Sequence, residues 1–461
     1  MLSTYVRASA QNSAFRNPII TGFHPDLSCI FVPKFNDTWS CTSSSFLAFP
    51  GLLIHATALT KATSGIYAPT LRFREGIFYL TTTLVNQQLP RISDSRWDNF
   101  LVTTEDPYSS EAWSDPVHFS FPGSDPSPFW DEDGTTYDTG EIGNIIMPWN
   151  GTGRSSPEGP HIFKRDGWYY LLAAEGGTRE NHMVTMARSR SLQGPFEPAA
   201  ANPLLTAANN TSSYFQAVGH ADLFQDANGK WWGVALAVRA GGSYGESPYF
   251  ANFPLGRETV LTPVTWEEGG WPVFTPSIPE QGEGQLNDAD DNVAFPPGSR
   301  LPIHFTHWGL PTARNYAVSP PGHWKLEYAG IKILGAQPDG VRRGLRARPW
   351  TDRQTFVGCR MAHSLFRFRV NVDWASSLIK EDMGSSQDNY TRSAPLQPYI
   401  RFRGHSETPY RGRSSAPSEA YPLPEDWAGK KLTLQIETTN LGEEAGIQVF
   451  GHCRGDELVP Y

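Results

Sequence analysis

Cysteine, charge and helical periodicity are all scarce in this chain. Only four of its 461 residues are cysteine (Cys29, Cys41, Cys359 and Cys453). That is too few for a disulfide framework, and no Cys/His spacing of the zinc-binding kind accompanies them. Cys29 and Cys41 could pair across neighbouring strands, but free buried thiols are the expectation there. Charged residues make up 18% of the chain, and its formal net charge is -9. This balance argues against nucleic acid or an anionic membrane as partner. No apolar run is long enough to span a bilayer, and Met1 to Arg16 lacks the apolar core of a signal peptide. As written, the chain reads as cytoplasmic. Secretion follows only if the N-terminus is misassigned, and only then do the sequons at Asn36, Asn150, Asn209, Asn210 and Asn389 matter.

Aromatics, glycine and proline are plentiful instead: 13% Phe, Trp and Tyr, with 42 Gly and 38 Pro. With no long amphipathic helical pattern, this composition predicts an all-β protein with many turns. At this length two domains are expected. One pattern recurs, a polar-Gly turn running into an aromatic strand. It stands at Glu75-Gly76, Asp133-Gly134, Asp166-Gly167 and Asn228-Gly229. Each is a hairpin signal, and recurrence at about 60 residues is the signature of a propeller of four-stranded blades. The spacing is uneven. Gly76 to Gly134 is 58 positions and Gly167 to Gly229 is 62, but Gly134 to Gly167 is 33. A full blade cannot fit into the short interval.

Near Leu286 to Gly298 an acidic run meets Pro-Pro, which reads as a linker. Beyond it, Phe366 to Trp374 and Lys431 to Ile436 alternate as strands with one wet face do. The C-terminal part is therefore expected to be an antiparallel β-sandwich, with the polar stretch Ser376 to Arg413 as loop. The domain boundaries expected are 14–285 and 296–461.

Three carboxylates stand out, each in a proline-framed turn at the rim of a predicted strand: Asp26 in Gly22-Phe23-His24-Pro25-Asp26, Asp125 in Ser124-Asp125-Pro126, and Glu158 in Pro157-Glu158-Gly159-Pro160. Prolines on both sides of Glu158 exclude a helix and fix the backbone. Any one of these is an ordinary turn former. Together, on different blades, they would converge on a propeller axis as acids with separately tuned pKa values. Inverting glycoside hydrolysis needs such an acid, such a base, and room for a water between them.

These motifs resemble glycoside hydrolase family 43. Asn17 to Asp26, Phe46 to Gly51, Ile66 to Thr70, Asp125-Pro126-Ser127, Glu158 to His161, Glu175 to Thr178, Gly219 to Asp222 and Gly256 to Thr259 follow the family's order across roughly Asn17 to Val273. The nearer likeness is to its β-xylosidases and α-L-arabinofuranosidases. That resemblance implies a five-bladed β-propeller followed by a β-sandwich. It also implies removal of terminal β-D-xylosyl or α-L-arabinofuranosyl units from plant-wall oligosaccharides. Asp26 would be the general base and Glu158 the general acid. Asp125 would orient Glu158 and raise its pKa. Arg257 would bind sugar or else pair with Glu258 or another nearby acid. His220 would lie on the axis as a core histidine, or beside a calcium ion as in some members; no cofactor is otherwise required. Phe46, Tyr67 and Thr178 would shape the pocket. Tyr67 stands where the family usually has Trp. The stretches Leu59 to Ala62 and Tyr137 to Ile145 are short, so two blades are expected to be curtailed, and the sandwich looks incomplete after Leu441. A chain so curtailed is also compatible with a non-catalytic sugar-binding relic.

Overall fold

The computed structural model describes residues 17–49 except 36, 37 and 47, then 64–138 except 110, 121, 122 and 133–135, then 149–239 except 211, and 255–275. It also describes Met361, Ala362, the short strands Tyr316–Val318, Ile331–Ile333 and Gly358–Cys359, and those named below. Five sheets follow one another along the chain. The first joins β1 (Thr4–Val6), β2 (Ser28–Val32) and β3 (Thr38–Thr42) in the order β1-β3-β2. The next strand, β4 (Ala48–Phe49), pairs instead with Phe305–Trp308. The second sheet is β5 (Gly65–Arg74), β6 (Ile77–Val85), β7 (Trp97–Thr104) and β8 (Val117–Phe119). The third has, among the described residues, β9 (Pro128–Trp130) and β10 (Thr136–Asp138). The fourth is β11 (Glu158–Arg165), β12 (Trp168–Glu175), β13 (Met183–Ser189), β14 (Glu197–Pro198) and β15 (Leu205–Thr206). The fifth is β16 (Phe215–Gln225), β17 (Trp231–Arg239), β18 (Glu258–Thr265) and β19 (Val273–Phe274). These are the blades of a five-bladed β-propeller, and among the described residues the first and third have the fewest strands.

The turns explain the hairpins. Glu75 and Gly76 have φ of 54° and 92°, and Asp166 and Gly167 have 53° and 70°. Two consecutive positive φ values make the turn whose twist matches the flanking strands. The registers Arg74↔Ile77 and Arg165↔Trp168 follow directly. Asn228-Gly229 sits in a longer loop closed by Asp226, whose amide donates to the Lys230 carbonyl at 3.0 Å. Asp133-Gly134 lies outside the described residues, as do 59–62, 139–145 and the linker at 286–298.

The core lies between blades. Val32, Leu71, Phe78 and Phe100 fill the space between the first two. Phe129, Trp149, Leu171 and Phe196 pack the third on the fourth. Tyr170, Met186, Phe215, Leu223 and Trp266 pack the fourth on the fifth. Middle strands such as β12 are thereby covered on both faces, which is why Leu171 to Glu175 is a continuous buried run. Leu27, Cys29, Cys41, Phe224 and Leu261 close the ring from fifth blade to first. The closure is also stitched by backbone. Ile20 bridges Thr259 on the free part of β18, and buried Asn17 exchanges two side-chain hydrogen bonds with Leu261, at 2.9 and 2.8 Å.

Cys29 and Cys41 form a disulfide, so the expectation of free thiols is overturned. They sit directly opposite in the β2–β3 register, a placement that depends on strand pairing, which spacing alone does not reveal.

By compactness the chain divides into Met1–Ala336 with Arg353–Ser364, and Gln337–Asp352 with Leu365–Tyr461. The second unit is the β-sandwich. Its described strands are Arg367–Val372, Leu432–Thr438, Ile447–Cys453 and Val459–Pro460 in one sheet, and Tyr399–Phe402 paired with Glu419–Pro422. The strand Tyr399–Phe402 corrects the expected loop over 376–413, since four residues are too short a run to stand out in polar surroundings.

Candidate active site

The innermost strands β2, β5, β9, β11 and β16 pack beside one another around the axis, β2 against β5 and β16, and β11 against β9 and β16. Each brings one polar residue to a shared network. Asp222 of β16 receives Arg72 of β5 through two hydrogen bonds, at 2.7 and 3.1 Å, and the hydroxyl of Ser28 on β2 at 2.6 Å. His161 of β11 accepts from Arg72 at 3.1 Å and lies 2.8 Å from the hydroxyl of Ser127, next to β9. Burial first, then Arg72, pushes the His161 pKa down to about 3, against the pull of Asp222. The ring is therefore neutral and can accept at Nδ1. All five blades are tied at this level.

The three acids lie at the entries of the inner strands, where the backbone is irregular. Asp26 precedes β2 with φ of 57°, and Asp125 precedes β9 with 68°. Glu158 starts β11 ahead of a register shift, and β5 and β16 have shifts at Tyr67/Thr70 and at Gln216/Gly219/Asp222. Ala68 (36°) and His220 (47°) also take left-handed backbone. Such bulges and strained residues re-aim side chains at functional sites.

The result is one cluster around a pocket lined by Asp26, Asp125, Gly159 and His220 among others. Asp26 Oδ1 accepts from Arg257 at 3.1 Å, and its Oδ2 accepts from the Ser44 hydroxyl at 2.6 Å. Ser44 in turn accepts the Ala68 amide at 2.7 Å. Arg257 thus pairs with Asp26, while its neighbour Glu258 is held by Arg239. Asp125 Oδ2 accepts the Gly159 amide at 3.1 Å, fixing the turn that carries Glu158. His220 Nδ1 stands 3.9 Å from Asp26 Oδ1 and 3.8 Å from Glu158 Oε1. A second imidazole, His182, approaches Glu158 Oε1 at 3.5 Å.

The charges settle accordingly. Burial, helped by the charges of Glu158 and Asp26, raises Asp125 to about 6, although His220 opposes it. Burial alone would raise Glu158 too, but His182 and His220 hold it below the usual range. Burial would lower His220, yet Glu158, Asp26 and Asp125 hold it up to about 9. The like-charge effect expected at Glu158 therefore appears at Asp125, because the two imidazoles sit against Glu158.

Of the expected pocket residues, Phe46 and Tyr67 meet edge to face at 4.9 Å, and Phe46 stacks on Phe23 at 5.6 Å with Arg257 over the Phe23 ring. Burial raises the Tyr67 pKa, and the Gln87 amide donates to its hydroxyl. Thr178 is exposed in the turn between β12 and β13, and no hydrogen bond among the described residues ties it to the acids. Ser44, His182 and Phe23 complete the cluster without having been singled out. Lone residues of these types carry no local signal, and only the ring brings them together. Among the described residues no group of three His, Cys, Asp or Glu side chains stands close enough to hold a metal ion.

Comparison with known proteins agrees with this architecture. The sequence model of glycosyl hydrolases family 43 matches residues 15–140 and 138–272. The chain is 36% identical over 305 residues to a non-reducing-end α-L-arabinofuranosidase of Bacteroides ovatus, covering 57% of this chain and 54% of that one. It is 35% identical over 325 residues to a xylosidase/arabinosidase of Butyrivibrio fibrisolvens, covering 59% and 57%. It thus spans little more than half the length of these relatives. In fold it is similar to a xylan β-1,4-xylosidase of Bacillus halodurans, with a TM-score of 0.69 at 23% identity over 97% of this chain and 91% of that one. The chain belongs to glycosyl hydrolase family 43.

Proposed function

We propose that this protein removes terminal β-D-xylosyl or α-L-arabinofuranosyl units from plant-wall oligosaccharides by an inverting mechanism. The observation that carries this reading is the convergence of Asp26, Asp125 and Glu158 from three blades onto one imidazole, His220. Asp26, oriented by Ser44 and Arg257, is the general base that takes a proton from water. Glu158 is the general acid that protonates the departing oxygen, and Asp125 holds the turn that carries it. The two distances to His220 limit the separation of acid and base oxygens to about 8 Å. That limit reaches into the lower part of the roughly 6.5–9.5 Å spacing of inverting glycosidases, which leaves room for a water. Phe23, Phe46 and Tyr67 offer an apolar wall against which a sugar face can pack. Neither nucleic acid nor membrane is a partner in this reading. The disulfide favours an oxidising compartment over the cytoplasm.

The test is hydrolysis of aryl β-D-xyloside and aryl α-L-arabinofuranoside by the protein and by its Asp26→Asn and Glu158→Gln forms. Turnover of one or both sugars is expected, reduced at least about 10²-fold in either variant. Equal turnover by the variants would refute the assignment.

A further inference from the structure

His182 is fully buried, just ahead of β13. Its Nδ1 lies 3.3 Å from the carbonyl oxygen of Ala217, and its Nε2 lies 3.5 Å from Glu158 Oε1. A carbonyl oxygen only accepts, so Nδ1 must bear the hydrogen. Were the ring otherwise neutral, Nε2 would turn a bare lone pair toward the carboxyl. Nε2 has no hydrogen-bond partner of its own among the described residues. Two lone pairs facing one another repel, so one proton belongs between them, on the ring or on the carboxyl.

The surroundings are shaped for this ring. Ala217, with φ of 51°, lies in the irregular part of β16 between Gln216 and Gly219. At Gly219 a Cβ would stand 2.5 Å from the His182 ring, so only glycine leaves it room. One bulge thereby supplies both the anchoring carbonyl and the space. The charged groups facing Glu158 from the other blades are His220, Asp26 and Asp125, with Arg257 held on Asp26.

We propose that His182 is a positioning residue for the general acid: it fixes the Glu158 carboxyl through a shared proton and keeps that proton at hand for the leaving group. The proposal rests on the glycosidase reading for its consequence, though not for its geometry. In the reaction, Glu158 gives the proton to the glycosidic oxygen as the bond from the anomeric carbon to that oxygen breaks. Water attacks the same carbon and loses its proton to Asp26. The site resets when Asp26 releases a proton to solvent and the Glu158–His182 pair takes one up.

The experiment has two arms. In the first, His182→Ala and the bulkier His182→Gln are assayed on pentosides of two leaving groups. An alkyl or sugar leaving group needs protonation, whereas a dinitrophenolate does not. Turnover of the former is expected to fall about 10²-fold or more, and of the latter by less than about tenfold. An equal loss on both in folded variants would overturn the proposal, because a merely structural role would not distinguish leaving groups. In the second, ¹⁵N NMR of histidine-labelled protein reads His182 without any turnover. A ring protonated at Nδ1, with an Nε2 resonance that moves in Glu158→Ala, is expected. An Nε2–H tautomer, or a resonance indifferent to Glu158, would overturn the proposal even if the protein hydrolyses no pentoside.

Discussion

Asp125 shows how a residue acquires properties its neighbours in sequence do not give it. In the chain it is one Asp-Pro turn among several. In the ring its carboxyl is buried beside Glu158 and Asp26 and held up to about 6, from an ordinary 3.8. Between these values the folded chain keeps a proton that the unfolded chain has released. Stability therefore falls as pH rises through that window. Asp125→Asn should remove this dependence and flatten the difference in unfolding free energy between about pH 4 and pH 7 by roughly 1–3 kcal/mol. Denaturant unfolding at the two pH values measures it, and an unchanged difference would show that Asp125 ionises freely. The acids themselves were readable because proline frames each one. Ser44 and His182 were not, since their significance comes from residues 18 and 24 positions away, Asp26 and Glu158.

Strands and turns were readable where turn chemistry is local. Glu75-Gly76 and Asp166-Gly167 announce their hairpins because two positive φ values demand such residues. Bulges are different, since nothing local marks Gly219 as the place where β16 loses register. Gly219→Ala should drive a methyl into His182 and lower turnover by about 10²-fold while leaving the far-ultraviolet spectrum unchanged. Full activity would mean that the bulge tolerates a side chain. The first blade, with three strands among the described residues, has its clamp in Cys29–Cys41, which closes a loop with a sequence separation of 12. Cys29→Ser should cost about 2–3 kcal/mol, seen as a lower melting point than the parent under oxidising conditions and none the lower under reductant. Coincident melts in both conditions would argue against the bond.

The whole molecule holds its ring together along the axis and at the closure. Ser28, Arg72, Ser127, His161 and Asp222 come one from each blade, so the inner strand of every blade is in place among the described residues. Asp222→Ala would strand the Arg72 guanidinium and should destabilise the propeller by about 3–5 kcal/mol, read as a lower denaturation midpoint with activity falling in parallel. Recurrent turns pointed to a propeller, and its five blades followed only from the family resemblance of the ordered motifs. The axial network was not foreseen, because its members are scattered across 194 positions and share no motif.

The most direct measurement of the account follows the first sugar released from an aryl β-D-xyloside by time-resolved proton NMR. The α-anomer of xylose should appear first and mutarotate to the mixture, and Glu158→Gln should slow its appearance without changing the anomer. Initial release of the β-anomer, or release at the same rate in the variant, would contradict an inverting site built on Asp26 and Glu158.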